Sequence, residues 1–150
     1  MKKGNKIVIL LIATIMTVSG LILTACTNDE ADAKLLENSE TLVVIEANAT
    51  GGSMEDAMAK FKKAGNLDYE GSVSEFGFYL ISVGGYTPDA SKNEFWAVYT
   101  TLGEYEGVAY SNVDYGTYEY NGKTCASAAY GISGLPLVKG NLYILTISTY

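Results

Sequence analysis

Residues 75–100 read EFGFYLISVGGYTPDASKNEFWAVYT, and the reading of this stretch decides the fold. Two runs, Phe78 to Val83 and Glu94 to Thr100, are rich in Val, Ile, Tyr, Phe and Trp, which fill a pleated surface well. Between them stand Gly84-Gly85, Thr87-Pro88-Asp89 and Lys92-Asn93, residues that break strands and make turns. The stretch predicts two strands joined across a surface loop. In the second strand Phe95, Ala97 and Tyr99 share one face and Trp96 and Val98 the other, because strand side chains alternate. Both faces are apolar, so the strand is expected to be covered on both sides or to offer one face to a ligand.

Working outward, Thr41 to Asn48 (TLVVIEAN) predicts a first strand, closed by Ala49-Thr50-Gly51-Gly52. Ser53 then stands as an N-cap with Asp56 at the third helical position, close to a capping box. Met54, Ala57, Met58, Phe61 and Ala64 recur at helical spacing, and Gly65 follows as the expected C′ residue. Asn66 to Glu75 reads as a polar connection. Asn121-Gly122 predicts a hairpin between Asp114–Tyr120 and Lys123–Ala128. Leu142 to Thr149 (LYILTIST) predicts a last strand. One helix among these strands points to an α+β fold, a β-grasp-like mixed sheet packed on one helix, in a single domain over residues 40–150.

The N-terminal part sets the location. Lys2, Lys3 and Lys6 precede an apolar run from Ile7 to Leu23, the layout of a secretory signal. The run of ~17 residues is at the lower limit of a membrane span. Leu23-Thr24-Ala25-Cys26 resembles a bacterial lipobox, which makes residues 1–25 a lipoprotein signal peptide and Cys26 the lipidation site. Residues 26–39, with TNDEADAKLLENS after the cysteine, then read as a polar tether on the outer face of the cell membrane. Cleavage would remove three of the ten lysines and no acid, taking the formal net charge from −7 to −10. Such a surface repels nucleic acid, so no nucleic-acid partner is expected. With Cys26 lipidated, Cys125 lacks a partner in the chain and reads as a small buried hydrophobe.

Chemistry is narrowly bounded. The chain has no histidine, which removes Ser-His and Cys-His nucleophile pairs, and no enzyme is expected. The nearby carboxylates Asp68 with Glu70, and Glu104 with Glu106, read as solvated loop charges. Asn112-Val113-Asp114-Tyr115-Gly116 has alternating oxygen ligands for calcium, but no glutamate completes the loop. A tyrosine-ligated haem iron stays open. Aromatic residues carry the binding reading: Tyr86, Phe95, Trp96, Tyr99, Tyr118 and Tyr120 offer rigid faces with polar tips, suited to planar or sugar ligands. The alternatives are a protein or cell-wall interaction through the acidic, Tyr-rich surface or a sheet edge, and a calcium or metal surface site.

Residues 40–150 also resemble the family named for the transcobalamin C-terminal domain. The resemblance rests on Ser53-Met54-Glu55-Asp56-Ala57-Met58, Phe76 to Gly85, Phe95-Trp96-Ala97-Val98-Tyr99, Tyr120-Asn121-Gly122-Lys123, Gly131-Ile132-Ser133 and Lys139-Gly140-Asn141. Two features depart from the family pattern: Gly84 replaces the turn asparagine, and the connection Leu102–Tyr118 is longer. The resemblance implies a non-enzymatic module whose ligand is a corrinoid or similar planar cofactor.

Overall fold

A computed structural model describes residues 32–150. The expected signal peptide, residues 1–25, and the expected lipidation site Cys26 lie outside the described residues. The strands are β1 (Ala33–Asn38), β2 (Leu42–Ala47), β3 (Tyr69–Ser74), β4 (Gly77–Val83), β5 (Glu94–Thr100), β6 (Glu104–Tyr105), β7 (Val108–Ala109), β8 (Ser111–Tyr120), β9 (Lys123–Ala128) and β10 (Leu142–Thr149). The helix α1 (Met54–Lys63) follows β2. A six-stranded sheet has the order β1-β2-β10-β5-β9-β8, and β3-β4 and β6-β7 form separate two-stranded ribbons. The architecture is α+β, with one long helix against an open sheet.

The expected mixed sheet is corrected: every pairing among the described strands is antiparallel. The turn before β10 explains this. Gly140 N–H donates to Ala47 O at 2.8 Å and Ala47 N–H to Asn141 O at 3.0 Å, so the chain reverses beside the end of β2. β10 can then only run back along β2.

Two further readings change. Residues 33–38, expected as tether, form the edge strand β1, because Ala33 and Leu35 face the core while Lys34 and Glu37 face away from it. Alternation, not composition, places them. Within the expected polar connection 66–75 lies β3, whose Tyr69 is buried and whose Gly71 passes under the Phe78 ring; a Cβ there would meet that ring at 2.3 Å. The hairpin strand before Asn121 also starts earlier, at Ser111, with a register break between Asn112 and Thr117.

α1 forms as its pattern predicts. Ser53 accepts from Asp56 N–H at 3.2 Å, and the Asp56 carboxylate accepts from Ser53 N–H at 2.7 Å, a reciprocal capping box. These bonds, the backbone one first, hold the Asp56 carboxyl below its ordinary value. Met54, Ala57 and Met58 are buried against Val43, Ile45, Tyr143 and Leu145 on one sheet face. Segment 129–141 and the β3-β4 ribbon cover the rest of that face. The other face carries a smaller cluster, Val44, Cys125, Leu142 and Ile144, roofed by Leu42, Tyr99, Tyr118 and Tyr120. Burial, and then the Glu37 carboxylate, raise the pKa of the Tyr120 phenol in this cluster.

Tyr143 ties the long segment to the sheet. It is fully buried; its hydroxyl donates to Pro136 O at 2.7 Å and accepts from Val138 N–H at 2.8 Å. Tyr143→Phe keeps the ring but strands both backbone groups, so equilibrium denaturation should give a loss of about 1–3 kcal/mol. An unchanged midpoint would mean that the hydroxyl bonds do not anchor the segment.

Candidate functional site

The pleat divides the six aromatic candidates between opposite faces of the sheet. Tyr86 and Trp96 meet on the helix-bearing side, with ring centroids 6.3 Å apart and planes at 86°. Phe95 is on the opposite side, tilted against Tyr150 at 5.8 Å. Tyr99 and Tyr118 also stand there, 5.8 Å apart, with Tyr120 beside them over Cys125. One patch from the sequence is therefore two in space. The opposite-face group is a lid on the smaller core, and its Cys125 is fully buried, where burial pushes the thiol pKa up.

Trp96 lines a cleft of about 380 Å³ between β4 and β5. Its floor is Trp96, Val98, Leu145 and Ile132, and its mouth is bordered by Thr87, Pro88 and Glu94. Phe78 and Leu80, on β4, were absent from the aromatic reading because their partners only meet them in the tertiary fold. The alternation Phe78, Leu80 against exposed Tyr79 and Ile81 is the signal that marks them. The indole N–H of Trp96 is buried with no acceptor among the described residues. Buried donors are nearly always paired, and leaving one unpaired costs about 1–3 kcal/mol, so this group calls for an acceptor.

A clasp holds the cleft mouth. Tyr86 O–H donates to Glu94 Oε2 at 2.7 Å, and Asp89 N–H donates to the same oxygen at 3.0 Å. These bonds, Asp89 first, hold the Glu94 carboxyl below its ordinary value, and the bond to Glu94 raises the Tyr86 phenol. Asp89 caps the short turn Ala90–Lys92, and Asn93 takes the left-handed conformation at its end. No lysine borders this cleft.

A larger trough of about 980 Å³ runs between α1 and β1. It lacks unpaired buried groups: Lys60 pairs with Asp32, and Asp56 with Ser53. The Trp96 cleft is the better candidate. In the run expected to offer calcium ligands, Asn112 Oδ1 accepts from Asp114 N–H at 2.9 Å, and no group of three or more His, Cys, Asp or Glu converges among the described residues. No helix among the described residues is long and apolar enough to cross a membrane. Comparison with known proteins returned no match: no family model, no curated protein and no solved structure is significantly similar to the chain.

The clasp makes a pH prediction. A carboxyl whose folded pKa is depressed stabilises the fold at neutral pH, and that contribution is lost as pH falls from the ordinary Glu value of 4.5 through the lowered one. Trp96, the sole tryptophan, abuts Tyr86, so its emission should shift reversibly in this acid range. Glu94→Gln should show the shifted emission already at neutral pH and lose the transition. Identical emission profiles for both proteins would rule out the clasp.

Proposed function

We propose that the chain is a non-enzymatic ligand-binding module of the cell surface, lipid-anchored through Cys26, which takes its ligand in the Trp96 cleft. The observation that carries this reading is the buried, unpartnered indole N–H beside an apolar cleft of about 380 Å³. Volumes of ~300–1,000 Å³ with a few placed polar groups are those of ligand sites. The lipobox-like Leu23-Thr24-Ala25-Cys26 supports the anchor. Two acyl chains suffice for stable attachment.

The resemblance to the transcobalamin C-terminal domain supports a corrinoid or similar planar cofactor. The cleft volume favours a smaller occupant, or the edge of such a ring. The single helix on the sheet supports a β-grasp-like kinship; the antiparallel order of the described strands counts against it. A protein partner is the second reading, favoured by the strand edges that border the cleft.

Two measurements test the module. Cells fed a radiolabelled fatty acid should label the wild-type chain and leave Cys26→Ser unlabelled; a wild-type chain that takes up no label removes the lipid anchor. Equilibrium dialysis of the purified chain against cobalamin, cobinamide and haem, followed by their absorbance, should show retention of a planar ligand that Trp96→Ala lowers at least about tenfold. No retention of any of the three ends the planar-cofactor reading.

A further inference from the structure

We infer that the Trp96 cleft takes an extended polypeptide strand, neutral or basic, added to a free edge of β5; the inference rests on the reading of this cleft as the ligand site.

The cleft is bordered by successive residues, 78–81 on β4 and 94–96 on β5. Successive strand side chains point to opposite faces, so a wall touched by all of them is a strand edge and not a sheet face. The hydrogen bonds identify which backbone groups lie on that edge. Asn93 O accepts from Tyr150 N–H at 3.4 Å, and Thr101 N–H donates to Leu142 O at 3.2 Å, so the odd-numbered residues of β5 turn their groups to β10. The even-numbered ones turn theirs the other way. On that side β9 registers only with Tyr99 and Thr100, and Glu94 N–H is taken by Asp89 O at 3.2 Å. Trp96 is left with both N–H and C=O directed at the cleft, and Val98 with its N–H, its C=O lying beside Ala128 at the end of the β9 pairing.

β4 presents a matching edge. The register passes from Glu70↔Ser82 to Gly71↔Leu80, so Ile81 is a bulge that reverses the alternation. Below it Phe78 N–H donates to Ser133 Oγ at 3.1 Å, away from β3, which places the Leu80 N–H and C=O on the outer edge as well. The groups of Trp96 and the Val98 N–H on β5, and those of Leu80 on β4, thus border one slot.

A peptide backbone offers an alternation of donors and acceptors on both of its own edges, and strand addition to an exposed edge is an established mode of recognition. A ring-shaped small molecule does not offer it. The unpaired Trp96 indole adds one more donor for a peptide carbonyl or side-chain oxygen. Alternate side chains of the added strand would meet the apolar floor at Val98, Leu145 and Ile132. Glu94 at the mouth, with no lysine along the walls, selects against acidic strands.

Amide hydrogen exchange of the ¹⁵N-labelled full-length chain in detergent micelles tests this. The probes are an eight-residue peptide alternating valine with lysine and the same peptide N-methylated at every second residue. The amides of Trp96, Val98 and Leu80 should exchange rapidly in the free chain. The unmethylated peptide, titrated to millimolar concentration, should protect them saturably. The methylated one should bind at least about tenfold more weakly, since each lost hydrogen bond contributes ~1 kcal/mol. Placing the change on the probe leaves the fold of the protein out of question. Slow exchange in the free chain would show the edge already closed and would overturn the inference. So would rapid exchange that neither peptide slows, or equal protection by both. If a cofactor is retained in dialysis while the peptides fail, the strand reading falls and the binding module stands; if nothing binds in either experiment, both fall.

Discussion

The structure depends on the double pairing of β10. This strand lies between β2 and β5, and Leu142, Tyr143, Ile144 and Leu145 are buried in succession, so it contributes to the cores on both faces at once. Burying a large aliphatic side chain is worth ~1.5–3 kcal/mol, and no other strand among the described residues places four consecutive buried residues in the sheet centre. Its partners come from residues 42–46 and 94–100, far away in sequence. The centre of the sheet is therefore built of non-local contacts, the kind that close late and slowly in folding, between local hairpins at its two edges. The hydroxyl of Tyr143 extends this control to segment 129–141, which in turn supplies Ile132 to the cleft and the backbone carbonyls of Ile132 and Leu135 to the first turn of α1.

From that centre outward, pairing runs short on one side. β9 meets β5 over two residues only, then leaves, and the β3-β4 ribbon, which packs on the helix-bearing face, does not pair with β5. The cleft is the space between these incomplete pairings. Its chemistry follows from its origin: apolar floor from the sheet face, polar walls from strand edges, and a buried indole N–H that the fold itself does not satisfy.

Much of this was legible along the chain. β5 and β10 lie where their β-branched and aromatic runs predict, β9 where the Asn121-Gly122 turn predicts it, and the Ser53-Asp56 spacing predicts the capping box that starts α1. Elements whose composition is polar were not legible. Leu35 and Leu36 sit among charges in β1, and Tyr69 and Val73 among glycine and serine in β3; both strands are formed by a neighbour's pairing and not by their own propensity. Of the six aromatic candidates, Trp96 and Phe95 border the cleft and Tyr86 meets Trp96 beside it, while the rings of Phe95, Tyr99, Tyr118 and Tyr120 stand on the opposite face, because neighbours in sequence are divided by the pleat.

Sequence by itself determined the strands with strong alternation, the capped helix, the acidic charge and the lack of any histidine chemistry, since each depends on residue type and short spacing alone. Strand order, the wholly antiparallel pairing of the described strands, the β1 edge and the open cleft beside Trp96 were decided only by the tertiary structure. The physical reason is that pairing and unpairing of backbone edges depend on which distant segment arrives beside a strand. A local pattern of side chains does not encode that.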